Sequence, residues 1–176
     1  MVLTNSTYGP HSVHMAGTTW LIKPGRRGVD DVTEQGTLIM SVSLPFGAEE
    51  TIRFPNGEIW KIVPDQPESI ENQIFGSDGS LLVTLERTTQ KRRSMAVHVG
   101  GHTILVGRTG GAFSMLRNME AVDASGQQLA ALTETGQFRV RRTIVFHCDI
   151  PRLHQIAITA AAIILRDRAA SQAATI

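Results

Sequence analysis

The sequence predicts a mainly β fold, about twelve strands closed into a barrel around one apolar C-terminal α-helix. One observation is the run Ile156-Ala157-Ile158-Thr159-Ala160-Ala161-Ala162-Ile163-Ile164-Leu165, the one long helical stretch in the chain. It has no polar face, and such a helix must be enclosed on all sides. A second is that the rest of the chain alternates short β-like runs with turn signals and has no intervening helices. That pattern suits a closed meander, which leaves no exposed edge. Third, a barrel of about twelve strands is wider than its own side chains can fill, since about eight already suffice. The helix is the natural occupant.

The elements follow in order. Met1–Gly17 is polar and is expected as a flexible arm, with no basic stretch leading into an apolar one as a secretory signal requires. Thr19–Lys23 is a first strand, closed by Pro24-Gly25; Arg26–Gln35 is polar and reads as a loop; Thr37–Leu44 is a second strand. Thr51–Phe54 and Glu58–Val63 flank Pro55-Asn56-Gly57, a hairpin signal because Asn-Gly tolerates positive φ. Gln73–Phe75 and Ser80–Arg87 flank Ser77-Asp78-Gly79. In the latter run Leu81, Val83 and Leu85 share one face, as period two requires. Met95–Val99 and Thr103–Arg108 surround Gly100-Gly101; Ala112–Leu116 follows; Met119–Asp123 and Gln128–Glu134 surround Ala124-Ser125-Gly126; Arg139–His147 leads into the helix. The barrel domain is expected over residues 18–170, with 171–176 a frayed tail.

Ten helical residues reach only about 15 Å, against a bilayer core of about 30 Å. Arg152 and His154 bound the run on one side and Arg166, Asp167 and Arg168 on the other, so no transmembrane span is expected. Asp149 is placed to cap the helix, and Pro151 suits its first turn, where the missing N–H is no loss.

Composition narrows the function classes. The 176 residues suit one domain, and 41% hydrophobic content supports a sizeable core. A net charge of +1 and few aromatics give no global field for nucleic acid. Cys148 is the one cysteine, so no intrachain disulfide forms, which is compatible with a reducing cytoplasm. There is no Gly-x-Ser-x-Gly, no phosphate loop and no dinucleotide fingerprint.

Twelve strands followed by a buried C-terminal helix resemble the tubby C-terminal-like superfamily, over about Thr18 to Arg168. The LURP-one-related and scramblase branch is the nearer one. It is carried by the turn units Val122-Asp123-Ala124-Ser125-Gly126 and Gly76-Ser77-Asp78-Gly79, and by the helix closing on Arg166-Asp167-Arg168. The resemblance implies a twelve-stranded barrel with a central helix. It also implies phosphoinositide docking through Lys and Arg, as in tubby proteins, or a link to lipid, as in scramblases. The chain has no Cys-rich palmitoylation cluster, no acidic calcium loop and no long tubby-type headgroup motif, so scrambling and catalysis have no support.

The best candidate for an anionic ligand is Lys91-Arg92-Arg93, between two strands: Arg supplies paired donors and Lys a point charge. The bland alternative is a solvated hairpin tip. Arg139, Arg141 and Arg142 form a second basic group, with Arg139 and Arg141 on one outward strand face, and Arg26-Arg27 a third. His11 and His14 lie in the arm; His98 and His102 bracket Gly100-Gly101 and are placed to face each other, but two imidazoles make a poor zinc site. His147-Cys148-Asp149 has the members of a nucleophilic triad, yet strand neighbours point to opposite faces and cannot hydrogen-bond in a chain, so Cys148 reads as buried and inert. Trp20, Trp60, Phe54, Phe75, Met115 and Met119 read as core or wall.

The expectation is a non-enzymatic binding module, without metal or cofactor, docking anionic phospholipid or phosphoinositide at a membrane surface from the cytoplasm. The alternative is a protein-interaction scaffold of LURP-one-related type with no lipid role. A lumen carrying a small apolar ligand is disfavoured, because the helix fills it.

Overall fold

Period-two alternation turns every second residue of a strand toward the same face, and here that face is the inside of a barrel. The computed structural model describes residues 17–25, 28–45, 49–64, 71–88, 94–109, 118–135 and 141–173, the last six of these without side chains. The strands are β1 (Thr19–Pro24), β2 (Val29–Glu34), β3 (Thr37–Ser43), β4 (Glu50–Arg53), β5 (Ile59–Pro64), β6 (Asn72–Phe75), β7 (Leu81–Arg87), β8 (Ser94–Val99), β9 (His102–Arg108), β10 (Met119–Asp123), β11 (Gln128–Thr135) and β12 (Arg141–Phe146). The helix α1 spans Arg152–Ala173. Each strand pairs antiparallel with the next, and β1 closes the ring on β12 with Trp20 opposite Ile144 and Ile22 opposite Arg142.

The helix threads the barrel. Every residue from His154 to Leu165 is buried. The inward rows of the strands form one hydrophobic core with it, among them Trp20, Ile22, Met40, Ile52, Ile74, Leu85, Ile104 and Ile144. Its alanines, Ala157, Ala160, Ala161 and Ala162, let the wall close in. Thr159, the one hydroxyl in the run, is satisfied locally by donating to the Gln155 carbonyl at 2.8 Å. The void between Ile158, Ala162 and the β9–β12 wall measures about 10 Å³. That is at the margin for a single water, so the lumen carries no ligand-sized space there.

Some sequence expectations need correction. Val29–Glu34 is strand, not loop; its inward Asp30 broke the apolar alternation because it pairs with a charge on the helix, described below. The expected strand Ala112–Leu116 lies outside the described residues. The helix continues to Ala173, into the segment expected as a frayed tail over 171–176, consistent with the high helix propensity of its alanines. Asp149 makes no capping hydrogen bond among the described residues; the Pro151 carbonyl accepts from the His154 and Gln155 N–H groups at 2.9 and 3.1 Å, so Pro151 sits at the cap itself.

The tight turns also differ in detail. Gly57, Gly79 and Gly126 each hold the left-handed position of a three-residue loop, with φ of 89°, 81° and 85°. Asn56 does not adopt positive φ; its Oδ1 accepts the Glu58 N–H instead. The two Asp-containing turns are not equivalent. Asp78 lies within its loop and binds Ser80, whereas Asp123 precedes its loop and accepts from Ser125 N–H, Ser125 Oγ–H and Gln127 N–H.

Candidate functional site

The meander gives the barrel two unlike ends. At one end the strands are joined by tight turns at 35–36, 55–57, 77–79, 100–101 and 124–127. At the other end the chain leaves Pro24, Ser43, Pro64, Arg87, Arg108 and Thr135 and returns at Val29, Glu50, Asn72, Ser94, Met119 and Arg141. These longer connections carry Arg26-Arg27, Lys91-Arg92-Arg93 and Arg139. Those six residues lie outside the described residues. Arg141 is described: it opens β12, opposite Thr135, and is exposed. Its neighbour Arg142 turns inward, so the two described members of the expected basic trio lie on opposite faces of β12.

Just inside the longer-loop end lies a buried charged network that sequence reasoning missed. Arg166, in the last described turn of helix side chains, donates to Asp30 on β2 and to Asp167, both at 2.5 Å. Arg142 Nε donates to Glu134 at 2.8 Å, and the Asn118 amide oxygen accepts the Glu134 N–H at 3.2 Å. Burial raises the Asp30 carboxyl above its ordinary range although Arg166 and Arg142 pull it down. The Arg166 guanidinium is pushed down by burial, but Asp30 and Asp167 outweigh this and hold it charged. The network ties the helix to the wall and leaves the charges largely compensated. The signal for it was an Arg directly after Leu165, on a helix otherwise enclosed.

At the tight-turn end, Arg152 stacks over the Trp20 ring at 4.5 Å and reaches Glu34 and Gln155 at 3.4 and 3.2 Å. A shallow groove beside it is lined by Leu38, Ile39, Phe54, Pro55 and Ile156. His154, in the first helical turn, is buried and stacks edge-on against His102 at 5.3 Å. His98 and His102 therefore do not face each other. His98 lies opposite Thr103 and His102 opposite Val99, on alternate faces of the hairpin. Outside, His98 Nδ1 is 3.0 Å from the Thr103 hydroxyl and Nε2 is 3.2 Å from Glu86. This carboxylate–imidazole–hydroxyl row stands on the convex wall, and neither groove described here includes it.

The remaining groups read simply. β12 ends at Phe146, so His147-Cys148-Asp149 is a bend and not a strand. Cys148 is half-buried, not buried as expected; burial, then Asp123 and Asp149, raise its thiol, which favours the protonated form. Trp20 and Met119 are core; Trp60 packs on Phe54 at 4.7 Å and donates its indole N–H to Glu58. Phe75 is half-buried on the outer wall, lining a groove with Ile59, Lys61 and Val63. Met115 lies outside the described residues. Among the described residues no three His, Cys, Asp or Glu side chains converge as a metal site, and no helix is long and apolar enough to cross a membrane.

The fold thus defines a class, a twelve-stranded antiparallel barrel plugged by its C-terminal helix. No family model and no curated protein matches the chain. Among solved structures it is similar to the X-ray structure of an Arabidopsis thaliana protein, at 21% identity and a TM-score of 0.56, covering 85% of this chain and 90% of that one. The likeness is one of fold.

Proposed function

We propose that the protein is a non-enzymatic binding module of the tubby C-terminal-like kind, nearest its LURP-one-related and scramblase branch. It docks anionic phospholipid or phosphoinositide headgroups from the cytoplasmic side, peripheral to the membrane, through the barrel end that carries the longer connections. One observation carries this reading: the strand ends that flank Lys91-Arg92-Arg93 and Arg139 emerge at the same end as the exposed Arg141, while the tight turns lie at the other. Basic groups presented together suit a surface of phosphates, where each contributes about 1 kcal/mol. The filled lumen and the protonated Cys148 favour binding over chemistry.

Cosedimentation with phosphatidylcholine vesicles doped with phosphatidylserine or a phosphoinositide tests it. Lys91, Arg92 and Arg93 changed together to Ala should lose about 3 kcal/mol, roughly a hundredfold in affinity, and Arg139 with Arg141 changed to Ala about 2 kcal/mol. Binding should weaken with salt. Undiminished binding of the triple variant would reject the site, and absence of binding by the unaltered protein would reject the function. The scaffold reading is favoured by one observation of its own, the exposed Ile59, Val63 and Leu81 on the outer wall of β5–β7. Partner capture independent of lipid would support it.

A further inference from the structure

Helix α1 packs most closely on β8 and β9. The tip of that hairpin is Gly100-Gly101, both at positive φ, 56° and 78°. His154 is seated under it: a Cβ built on Gly100 would stand 3.1 Å from His154 Nε2. The lumen-facing side chains of β8 are Met95, Val97 and Val99, and those of β9 are His102, Ile104, Val106 and, at the far end of the strand opposite Met119, Arg108. Arg108 lies by the longer-loop end, away from the hairpin tip, so among the described residues the titratable group these two strands turn toward His154 is His102, a second imidazole. Arg152, one helical position before Leu153, is engaged with Glu34 and Gln155, and it is a cation. The first turn of α1 has no acidic residue.

We propose that this seat is an acid-sensitive catch. The β8–β9 hairpin and the first turn of α1 are held together while His154 is neutral, and they part when it takes a proton. Three features of the seat oppose a positive charge together. The ring is buried; its stacked neighbour is another imidazole; and the helix N-terminus carries a partial positive charge of its own. The direction of the His154 titration agrees, depressed by burial first and by His102 second. Opening the seat hydrates the ring and lets it accept the proton, so acid favours the open form. A group depressed in the closed form contributes stability that is complete above its ordinary pKa of about 6.5 and is lost as the pH falls below it. The catch is at the end opposite the charged network, so release frees the helix N-terminus while Arg166 still anchors the other end.

Hydrogen exchange of the full chain, corrected for intrinsic rate, tests this at about pH 7.5 and about pH 5.0. Protection over 96–106 and 152–158 should fall on acidification, by at most roughly thirtyfold for a single His, while β3–β6 hold. In His154→Phe the change should vanish; if that variant does not fold, His154→Gln carries the same test. Equal protection of these segments at both pH values would overturn the proposal. So would an equal loss in the variant, or a loss spread evenly over all strands.

Discussion

If α1 is the core of the barrel, truncating it should cost the same on opposite sides. Ile158 and Ile163 lie about 140° apart around the helix axis, at 100° per residue, and are 1% and 2% exposed. An amphipathic helix lying on a sheet would be sensitive at only one of them. Ile→Ala removes three carbons, about 2.4 kcal/mol at about 0.8 kcal/mol per buried methylene. The wall cannot collapse far, because each strand is held on both sides by its neighbours, so a cavity term adds to this. We expect about 4 kcal/mol for Ile158→Ala and for Ile163→Ala alike, within the usual range of about 2–5 kcal/mol for such changes. Leu38→Ala, at an exposed position on β3, serves as the control and should cost under about 1 kcal/mol. Urea melts followed by tryptophan fluorescence give the values directly, Trp20 being wholly buried. A loss below about 1 kcal/mol at either isoleucine, or a several-fold inequality between the two, would refute a helix enclosed on all sides.

Two further outcomes follow from the contacts. Arg166→Ala strands the buried Asp30 carboxylate and should cost about 3–5 kcal/mol near neutrality. Because the Asp30 pKa is already raised by burial, its proton is taken up more readily in the folded form. The stability linked to that proton is present at low pH and lost as the pH rises through the folded value, so the Arg166→Ala deficit should shrink toward pH 4, read from melts across pH. Gly100→Ala should cost about 1–2 kcal/mol through left-handed strain plus a contact term against His154, whereas Gly101→Ala, with open space at its Cβ position, has no such term. A double-mutant cycle with His154→Ala should remove that term, and an unchanged cost would show that the hairpin tip does not rest on the ring.

Much of this architecture was legible because it depends on periodicity and on turn chemistry. Val83 and Leu85 announce an inward row, which Leu81 leaves because the pairing with β6 shifts between Ile74 and Phe75 and puts it on the outer wall, and the glycines at 57, 79 and 126 mark the loop position that admits positive φ. The all-apolar stretch Ile156–Leu165 announces its own enclosure, and its length rules out a span. What stayed hidden depends on pairs far apart in the chain. Asp30 reads as a loop residue until Arg166 is placed beside it, 136 positions away. Arg142 reads as a surface cation until its register against Ile22 turns it inward. His98 and His102 bracket one turn, yet a two-residue tip sets the pairing of His98 with Thr103 and so separates them by a face. The basic connections lie beyond local reasoning in another way, since a run of cations is equally suited to water and to phosphate, and only its neighbours decide.

The placement of α1 after every strand has a temporal consequence. Synthesis delivers twelve segments of sheet before it delivers the residues they surround. Until then their inward rows have only each other to cover them, and the seam between the first strand and the last cannot be sealed around an occupant. Ring closure joins residues more than a hundred positions apart, which is slow by nature because distant segments must meet before contacts reward them. The nascent chain therefore presents greasy, unpaired strands for longer than a helical bundle of its size, and its exposure to aggregation ends only when the final segment arrives.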